Sequence, residues 1–285
     1  MYNFEFHRPT GLRQASNMLG KLEEAKILAG GQTLIPTMKL RLASPNNLVD
    51  LNAIAGELSG IEVRGRSIVI GAMTRHADVA NSPEVKANIP ALAYLAGLIG
   101  DPAVRHRGTL GGSLANNDPN SDYPAAALGL GATVHTTKGK HEADSFFKGL
   151  FETALAPDEI ITKVSFPNAK KAGYEKFRNQ ASRFALVGVF VSKRGSDIRV
   201  AVTGAGSNGV FRVASFEEAL KKRFAPKSLE GLTIPAAGMN SDIHGSAEYR
   251  AHLVGVMARR AVARANEFSA GDGEDAAAPG VTFGP

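Results

Sequence analysis

The chain has 285 residues, of which 44% are hydrophobic and 21% charged, and this composition indicates a globular protein of about two domains. It contains no cysteine, and its seven histidines show no metal-ligand spacing. We therefore expect no disulfide, no thiol nucleophile, no cysteine-ligated iron–sulfur cluster and no metal site in this chain. A redox function would need a bound organic cofactor.

The net charge of +6 is spread along the sequence, which indicates a mildly basic surface and predicts no binding to nucleic acid. Such a surface also suits an acidic protein partner or an anionic cofactor. No stretch approaches the ~18 consecutive apolar residues of a membrane span, and the first residues lack the features of a signal peptide. We therefore predict a cytoplasmic protein without a membrane span.

Helices alternate with β-branched segments in the first part of the chain. Apolar periodicity and β-branched runs predict these elements in chain order: a helix within 10–24, strands at 25–31, 46–52 and 66–74, buried helices at 90–100 and from about 122, and strands at 132–137 and 159–166.

The pattern changes after the polar segment 167–173, which we take as a domain boundary. Two apolar runs joined by a polar glycine turn predict an antiparallel pair of strands at 185–195 and 197–206. Amphipathic helices are predicted at 215–224 and 246–268. The residues from 268 to 285 are rich in Gly, Ala and acidic side chains, and we predict that they form a disordered tail.

The segment "LAGGQTLIP", residues 28–36, contains the first of two diglycine motifs. A strand that ends at Gly30 and Gly31 can expose consecutive backbone N–H groups, and such groups form anion-binding sites. The alternative is an ordinary tight turn after a strand.

The second diglycine motif lies in "DPAVRHRGTLGGSLANNDPNSDYPAAALG", residues 101–129. Gly111 and Gly112 stand between Thr109 and Ser113, whose hydroxyl groups suit phosphate oxygens, and Asp122 could accept hydrogen bonds from sugar hydroxyls. The alternative is a solvated glycine turn. Two loops of the same chemistry together favour a shared diphosphate site for a dinucleotide.

Two other features are interpreted without a catalytic role. The segment "GAGSNG", residues 204–209, matches G-x-G-x-x-G, but extended chain follows it and the preceding strand belongs to a hairpin, so we predict a loop and not a Rossmann motif. His106 stands between two arginines, and we expect it to neutralise phosphate or to pair with a carboxylate.

The segments "LAGGQTLIPTMKLRLASPNNLVDLN", "IGAMTRHADV" and "GDPAVRHRGTLGGSLANNDPNSDYPAA" resemble the FAD-binding medium subunit of molybdenum hydroxylases. The sequence is most similar to medium chains of aerobic-type carbon monoxide dehydrogenases, with relatives in xanthine dehydrogenase. The resemblance extends from about residue 1 to 267. It implies an α+β fold: a vanillyl-alcohol-oxidase (PCMH-type) FAD-binding domain at 1–170, with subdomains at about 1–52 and 53–170, and a small α+β domain with an antiparallel sheet and helices at 171–267.

The resemblance also implies which residues contact FAD, although it implies no catalytic side chain. Loop residues would surround the diphosphate, Asn116 and Asp122 would contact the diphosphate, ribityl or ribose groups, and an isoleucine pair would lie near the adenine or flavin. Lys176 would lie near the cofactor, and the family varies at the position of Ser113. The implied cofactor-binding residues are Ala29, Gly30, Gly31, Gln32, Thr33, Thr109, Gly111, Gly112, Ser113, Asn116, Asp122, Ile160, Ile161 and Lys176.

In such enzymes a large subunit holds the molybdenum cofactor, and a small subunit holds [2Fe–2S] clusters that pass electrons to FAD on the medium subunit. The resemblance therefore implies an electron-transfer subunit in a dimer of heterotrimers, with FAD reduced by the clusters and oxidised by an external acceptor. Two alternatives stay open: a free-standing FAD-dependent oxidoreductase, and a non-enzymatic nucleotide-binding module. The substrate and the acceptor are not predicted.

Overall fold

The computed structural model describes residues 1–270, whose strands form three main sheets and one short two-stranded sheet. The first sheet is parallel and small. Its strands and helices are β1 (Glu5–His7), α1 (Leu12–Lys21), β2 (Ala25–Leu28), α2 (Leu34–Lys39) and β3 (Asn47–Asp50). The strand order is β1-β3-β2, and α1 packs Ala15 and Leu19 against Val49 at the centre of this core.

The second part of the chain builds a five-stranded antiparallel sheet with helices on it. After a 3-10 helix (Leu51–Ile54) its elements are α3 (Ala55–Leu58), β4 (Ile61–Arg64), β5 (Ser67–Gly71), α4 (His76–Asn81), α5 (Pro83–Asn88), α6 (Pro90–Gly97), α7 (Pro102–Arg105), α8 (Leu110–Asn116), α9 (Tyr123–Leu130), β6 (Thr133–Thr136), β7 (Lys140–Glu142), α10 (Ala143–Phe146), β8 (Phe147–Gly149), β9 (Glu152–Thr153) and β10 (Ile161–Pro167). The strand order is β4-β5-β10-β6-β7, and β8 pairs with β9 in the short two-stranded sheet.

The helices α6 and α9 form the centre of the molecule, as their sequences predict. Both are almost wholly apolar, and each has a proline in its first turn, where the missing N–H removes no helical hydrogen bond. All eight residues of α9 are buried, and the helix ends at Gly131, whose φ of +63° favours glycine.

The last part of the chain forms a four-stranded antiparallel sheet with two helices. Its elements are β11 (Ala172–Arg178), β12 (Ala185–Arg194), β13 (Asp197–Thr203), β14 (Phe211–Arg212), α11 (Ala214–Lys222), a 3-10 helix (Pro226–Leu229) and α12 (Ala247–Ala270). The predicted hairpin of β12 and β13 is confirmed, with Gly188 opposite Thr203 and Arg194 opposite Asp197. No helix within residues 1–270 has the length and apolarity that crossing a membrane would need.

Both faces of this last sheet are covered. One face packs against α11 and α12 through residues such as Val189 and Val200. The opposite face contributes Tyr174, Phe190 and Ala201 to the same apolar core as α6 and α9. The core therefore continues across the predicted boundary at 167–173.

The end of α12 corrects one sequence prediction. The helix continues to Ala270, and the ring of Phe268 lies 6.0 Å from that of Tyr94, packed against the central core. Residues 268–270 are therefore part of the fold and not of a tail, because an aromatic side chain can still be buried there. The rest of the predicted tail, 271–285, lies outside the described residues.

Candidate functional site

Two loops with paired glycines meet at the candidate site. The first glycine loop, Ala29–Thr33, follows β2 and leads into α2, and the second glycine loop, Thr109–Ser113, opens α8. Gly30 lies so close to the backbone of Arg107 and Gly108 that a Cβ would overlap the Arg107 carbonyl oxygen. Gly112 of the second glycine loop faces Ala29 of the first, and a Cβ built on Gly112 would lie 3.8 Å from Cβ of Ala29.

The first glycine loop presents unused backbone donors. Among the described residues, the N–H groups of four consecutive positions find no acceptor: Gly30, Gly31, Gln32 and Thr33. Gly31 has a φ of +73°, a conformation that glycine adopts at little cost, and its carbonyl accepts the N–H of Ile35 at the start of α2. Consecutive free N–H groups around a left-handed residue form an anion-binding nest.

The base of the first glycine loop is fixed by two residues that sequence reasoning missed. The Asn52 side-chain amide donates to the Ala29 carbonyl over 3.0 Å and to the Asp50 carboxylate over 2.6 Å. Asn52 follows β3, which is the neighbour of β2 in the sheet, so the contact depends on the parallel pairing and has no local signal in the sequence.

The second glycine loop differs because its backbone donors are already used. Thr109 caps α8, and its side-chain oxygen accepts the N–H of Gly112 over 3.2 Å. The four N–H groups that open the helix donate within the protein: Leu110 to Thr74, Gly111 to Ala72, Gly112 to the Thr109 side chain and Ser113 to the Thr109 carbonyl. This loop can therefore offer a ligand its hydroxyl groups and the bare surface of Gly112, but not a set of free N–H groups.

A buried histidine lies behind the loops. A Cβ at Gly108 would lie 2.5 Å from Nε2 of His76, and the His76 backbone N–H donates to the Gly108 carbonyl over 3.0 Å. Burial, with Arg105 as a second cause, lowers the pKa of His76 from 6.5 to about 4, so the ring is neutral at pH 7. Its ring lies 5.3 Å from that of Tyr123, and nothing in the sequence pattern indicated this position.

The structure brings together two residues that were predicted separately as FAD contacts. Lys176 lies 3.0 Å from the Asp122 carboxylate, with side chains only 2% and 4% exposed. Tyr174 donates a hydrogen bond to the same carboxylate, and Lys176 donates to the Leu98 carbonyl over 2.9 Å. Burial and the neighbouring Asp122 carboxylate raise the pKa of Tyr174 well above its usual value. This network joins the start of α9, the end of α6 and β11, and contact with FAD stays a prediction for both residues.

The remaining predicted contacts lie at different depths. Ile160 is buried in the core below the first glycine loop, where Ala29 also packs, whereas Ile161 belongs to the central core. Asn116 is half-buried at the end of α8. The neighbouring Asn117, which we did not predict, has a φ of +42° and donates to the carbonyls of residues 149 and 152. Contact of Asn116, Ile160 and Ile161 with FAD stays a prediction.

His106 and the "GAGSNG" segment have structural surroundings. The exposed His106 ring lies 2.7 Å from the Pro102 carbonyl, and among the described residues it forms no ion pair with a carboxylate, which leaves the predicted carboxylate partner without support. Gly204 has a φ of +81° and donates to the Pro119 carbonyl over 2.8 Å. The chain then forms β14, antiparallel to β13, so the rejection of a Rossmann motif is confirmed.

The two glycine loops and the α+β fold define a nucleotide-binding protein, and comparison with known proteins gives its family. The sequence profile of the FAD-binding domain in molybdopterin dehydrogenase matches residues 2–169. The carbon monoxide dehydrogenase medium chain of Hydrogenophaga pseudoflava is 37% identical over 91% of this chain and 96% of its own. The nicotine 6-hydroxylase medium subunit of Paenarthrobacter nicotinovorans is 38% identical over 90% and 95%.

Solved structures agree with this assignment. Carbon monoxide dehydrogenase from Hydrogenophaga pseudoflava matches with a TM-score of 0.82 and 35% identity, covering 94% of this chain and 98% of that chain. Quinoline 2-oxidoreductase from Pseudomonas putida 86 matches with a TM-score of 0.79 and 27% identity over 94% and 98%. The chain belongs to the family of FAD-binding domains of molybdopterin dehydrogenases. The family resemblance, the α+β fold class and the FAD cofactor predicted from the sequence are confirmed.

Proposed function

We propose that this chain is the cytoplasmic FAD-carrying electron-transfer subunit of a molybdenum hydroxylase complex. A large partner subunit would hold the molybdenum cofactor and a small one the [2Fe–2S] clusters, in a dimer of heterotrimers. The relatives support this proposal, because several are named as medium chains or medium subunits. The absence of cysteine also supports it, because [2Fe–2S] clusters need thiolate ligands, which another chain would supply.

The observation that carries the proposal is the row of backbone donors on the first glycine loop that have no acceptor within residues 1–270. The N–H groups from Gly30 to Thr33 would hold the FAD diphosphate, and the Thr109 and Ser113 hydroxyls would contact it from the second glycine loop. Bound FAD accepts single electrons and releases two together. The residues of this chain bind and orient the cofactor, and none of them needs to act as a nucleophile or a general base.

The proposed division of the chain follows the sheets. Residues 1–170 would form the FAD-binding domain, with subdomains around the parallel sheet and the five-stranded sheet, and residues 171–270 a smaller second domain. The core shared by α6, α9 and β12 would hold the two domains in one arrangement. The Asp122–Lys176 pair at the same junction would fix the side of the site opposite the first glycine loop.

The test is the flavin content of the purified chain and of two variants. We expect near-stoichiometric FAD on acid release from the wild type, and a large loss in Gly31→Val and in Gly112→Val, because branched side chains would occupy the surface that the diphosphate approaches. Gly139→Val is the matched control, since no atom lies within 4 Å of its Cβ position and its φ is not positive.

Unchanged flavin content in folded Gly31→Val and Gly112→Val variants would count against the proposed cradle. A chain that takes up no FAD, either alone or with its partner subunits, would overturn the function. Turnover of a substrate by the isolated chain would favour a free-standing oxidoreductase instead.

A further inference from the structure

Two arginines from different parts of the chain converge on one carbonyl group. Arg105, at the end of α7, donates through Nη1 to the carbonyls of Ile99 over 3.0 Å and Gly100 over 3.1 Å. Arg183, in the turn between β11 and β12, donates through Nη1 to the same Gly100 carbonyl over 3.5 Å. Two guanidinium groups therefore meet at the junction between the FAD-binding part and the last sheet.

Within the part of the chain that the structure describes, no carboxylate forms an ion pair with either arginine. The arginine ion pairs within residues 1–270 all involve other arginines. Asp101 is near enough to Arg105 to affect its pKa, but its carboxylate caps α7 by accepting the Val104 N–H over 2.9 Å. Burial and then the charge of Arg183 lower the pKa of Arg105.

The backbone of the turn that carries Arg183 is strained at this residue. Arg183 has a φ of +62°, which L side chains rarely adopt, and its N–H donates to the Asn179 carbonyl over 2.9 Å. A strained backbone and an unneutralised pair of like charges are both unfavourable for the chain alone. An anion bound between the two side chains would offset the repulsion between their charges.

We propose that Arg105 and Arg183 form a clamp for a phosphate or diphosphate group. Each guanidinium has five N–H donors in a planar fork, and only Nη1 of each is engaged with the Gly100 carbonyl and its neighbour. Two guanidinium charges match a phosphate monoester, which carries about −1.5 to −2 at pH 7, or the doubly charged diphosphate of a dinucleotide. A single carboxylate would leave a net positive charge.

The phosphate can come from one of two sources. Arg105 precedes the second glycine loop by four positions, so the group can belong to FAD. Arg183 is exposed, so the group can also belong to a second, diffusible molecule that reaches the loaded protein. The inference rests on the proposed function only in using FAD to separate these sources.

The experiment is calorimetric titration of inorganic pyrophosphate into the full chain, without FAD in one arm and loaded with FAD in the other. The variant is Arg183→Gln, whose exposed side chain can be replaced without opening the core, and Arg105→Gln is the second variant. Arg260→Gln is the matched control, because Arg260 is exposed on α12 and forms no ion pair among the described residues. FAD affinity is measured for every variant.

Pyrophosphate binding in the FAD-loaded arm, weakened at least about tenfold by Arg183→Gln but not by the control, supports a clamp for a second ligand. Binding in the FAD-free arm alone, with FAD displacing pyrophosphate and Arg183→Gln weakening FAD itself, supports a clamp for the cofactor phosphate. Pyrophosphate and FAD affinities that are the same in Arg183→Gln and Arg260→Gln overturn the clamp, even where FAD binds as proposed. Failure of all variants and the wild type to bind FAD overturns the proposed function and leaves the FAD-free arm to decide the clamp.

Discussion

The two glycine loops contain the same kinds of residue but differ in what their backbones can do. In the first glycine loop, the N–H groups from Gly30 to Thr33 are without acceptors among the described residues. In the second glycine loop, the N–H groups from Leu110 to Ser113 all donate within the protein. The internal bonding on that side continues to Asp122, whose carboxylate is bound by Tyr174 and Lys176.

This difference indicates two roles for one type of motif. In the proposed function, the first glycine loop would offer its N–H groups to the ligand, and its glycines supply the left-handed conformation and the close contact between the loops. The second glycine loop uses its N–H groups for hydrogen bonds within the protein, so it forms a fixed surface against which the first glycine loop packs. Substitutions in the first glycine loop should therefore change mainly FAD binding, and so should a side chain added at Gly112, which would face the ligand. Substitutions of the bonded groups around the second glycine loop should change mainly stability.

The largest effect on stability is expected when the buried ion pair of Asp122 and Lys176 is broken. Lys176→Met should lower the free energy of unfolding by about 3–5 kcal/mol, because Asp122 would stay buried without its cation. Urea unfolding of the FAD-free chain measures this loss, with Lys148→Met, an exposed lysine, as the control. A loss no larger than the control's would mean that Asp122 does not depend on the ion pair.

His76, which lies against Gly108, should make the free energy of unfolding depend on pH below 6.5. The folded chain keeps this ring neutral down to about pH 4, whereas the unfolded chain protonates it near its ordinary pKa of 6.5. The stabilising contribution is therefore complete above pH 6.5 and falls by about 3 kcal/mol as the pH drops toward 4. Unfolding free energies measured across this range should decline less steeply in His76→Gln, while His252→Gln, on the exposed face of α12, should follow the wild type.

Gly30→Ala tests the contact between the two sides. Its Cβ would overlap the Arg107 carbonyl, so the loops must separate, and we expect a loss of about 1–3 kcal/mol together with most of the bound FAD. Thermal unfolding and flavin content are measured on the same samples. Gly139→Ala, with open space at its Cβ position, should change neither quantity. A variant with full flavin content would show that the close approach of the loops is not needed for binding.

The smallest effect on stability is expected from Thr109, which caps α8 at the second glycine loop. Thr109→Val removes the oxygen that accepts the Gly112 N–H and should cost about 0.5–2 kcal/mol of stability. Thr109→Ser keeps this oxygen and should stay close to the wild type. Equal FAD affinity in the two variants would mean that Thr109 acts only as a helix cap. Weaker FAD binding in the valine variant would indicate that the Thr109 hydroxyl also contacts the cofactor.

The features that could be predicted from the sequence are those that depend on nearby residues. Paired glycines beside hydroxyl groups indicated both loops, and a polar turn between β-branched runs indicated the hairpin of β12 and β13. The Rossmann motif could be rejected because extended chain follows Gly209.

The features that escaped prediction depend on residues far apart in the sequence. The N–H groups of Leu110 and Gly111 in the second glycine loop are occupied because Thr109 lies opposite Arg75 in a bridge between distant segments. Asp122 and Lys176 are 54 positions apart, and each was expected to face the cofactor by itself. His76 and Asn52 gain their roles only from packing, and neither stands in a recognisable motif.

The core that β12 shares with α6 and α9 has a consequence for how this protein can be divided. A gene cut after codon 170 would encode both glycine loops, but it would leave the apolar surface that faces Tyr174, Phe190 and Ala201 open to water. Such a fragment would tend to aggregate before it could bind a flavin. We therefore expect the FAD-binding part to fold only together with the last sheet and α12, so that a fusion protein would need all three parts.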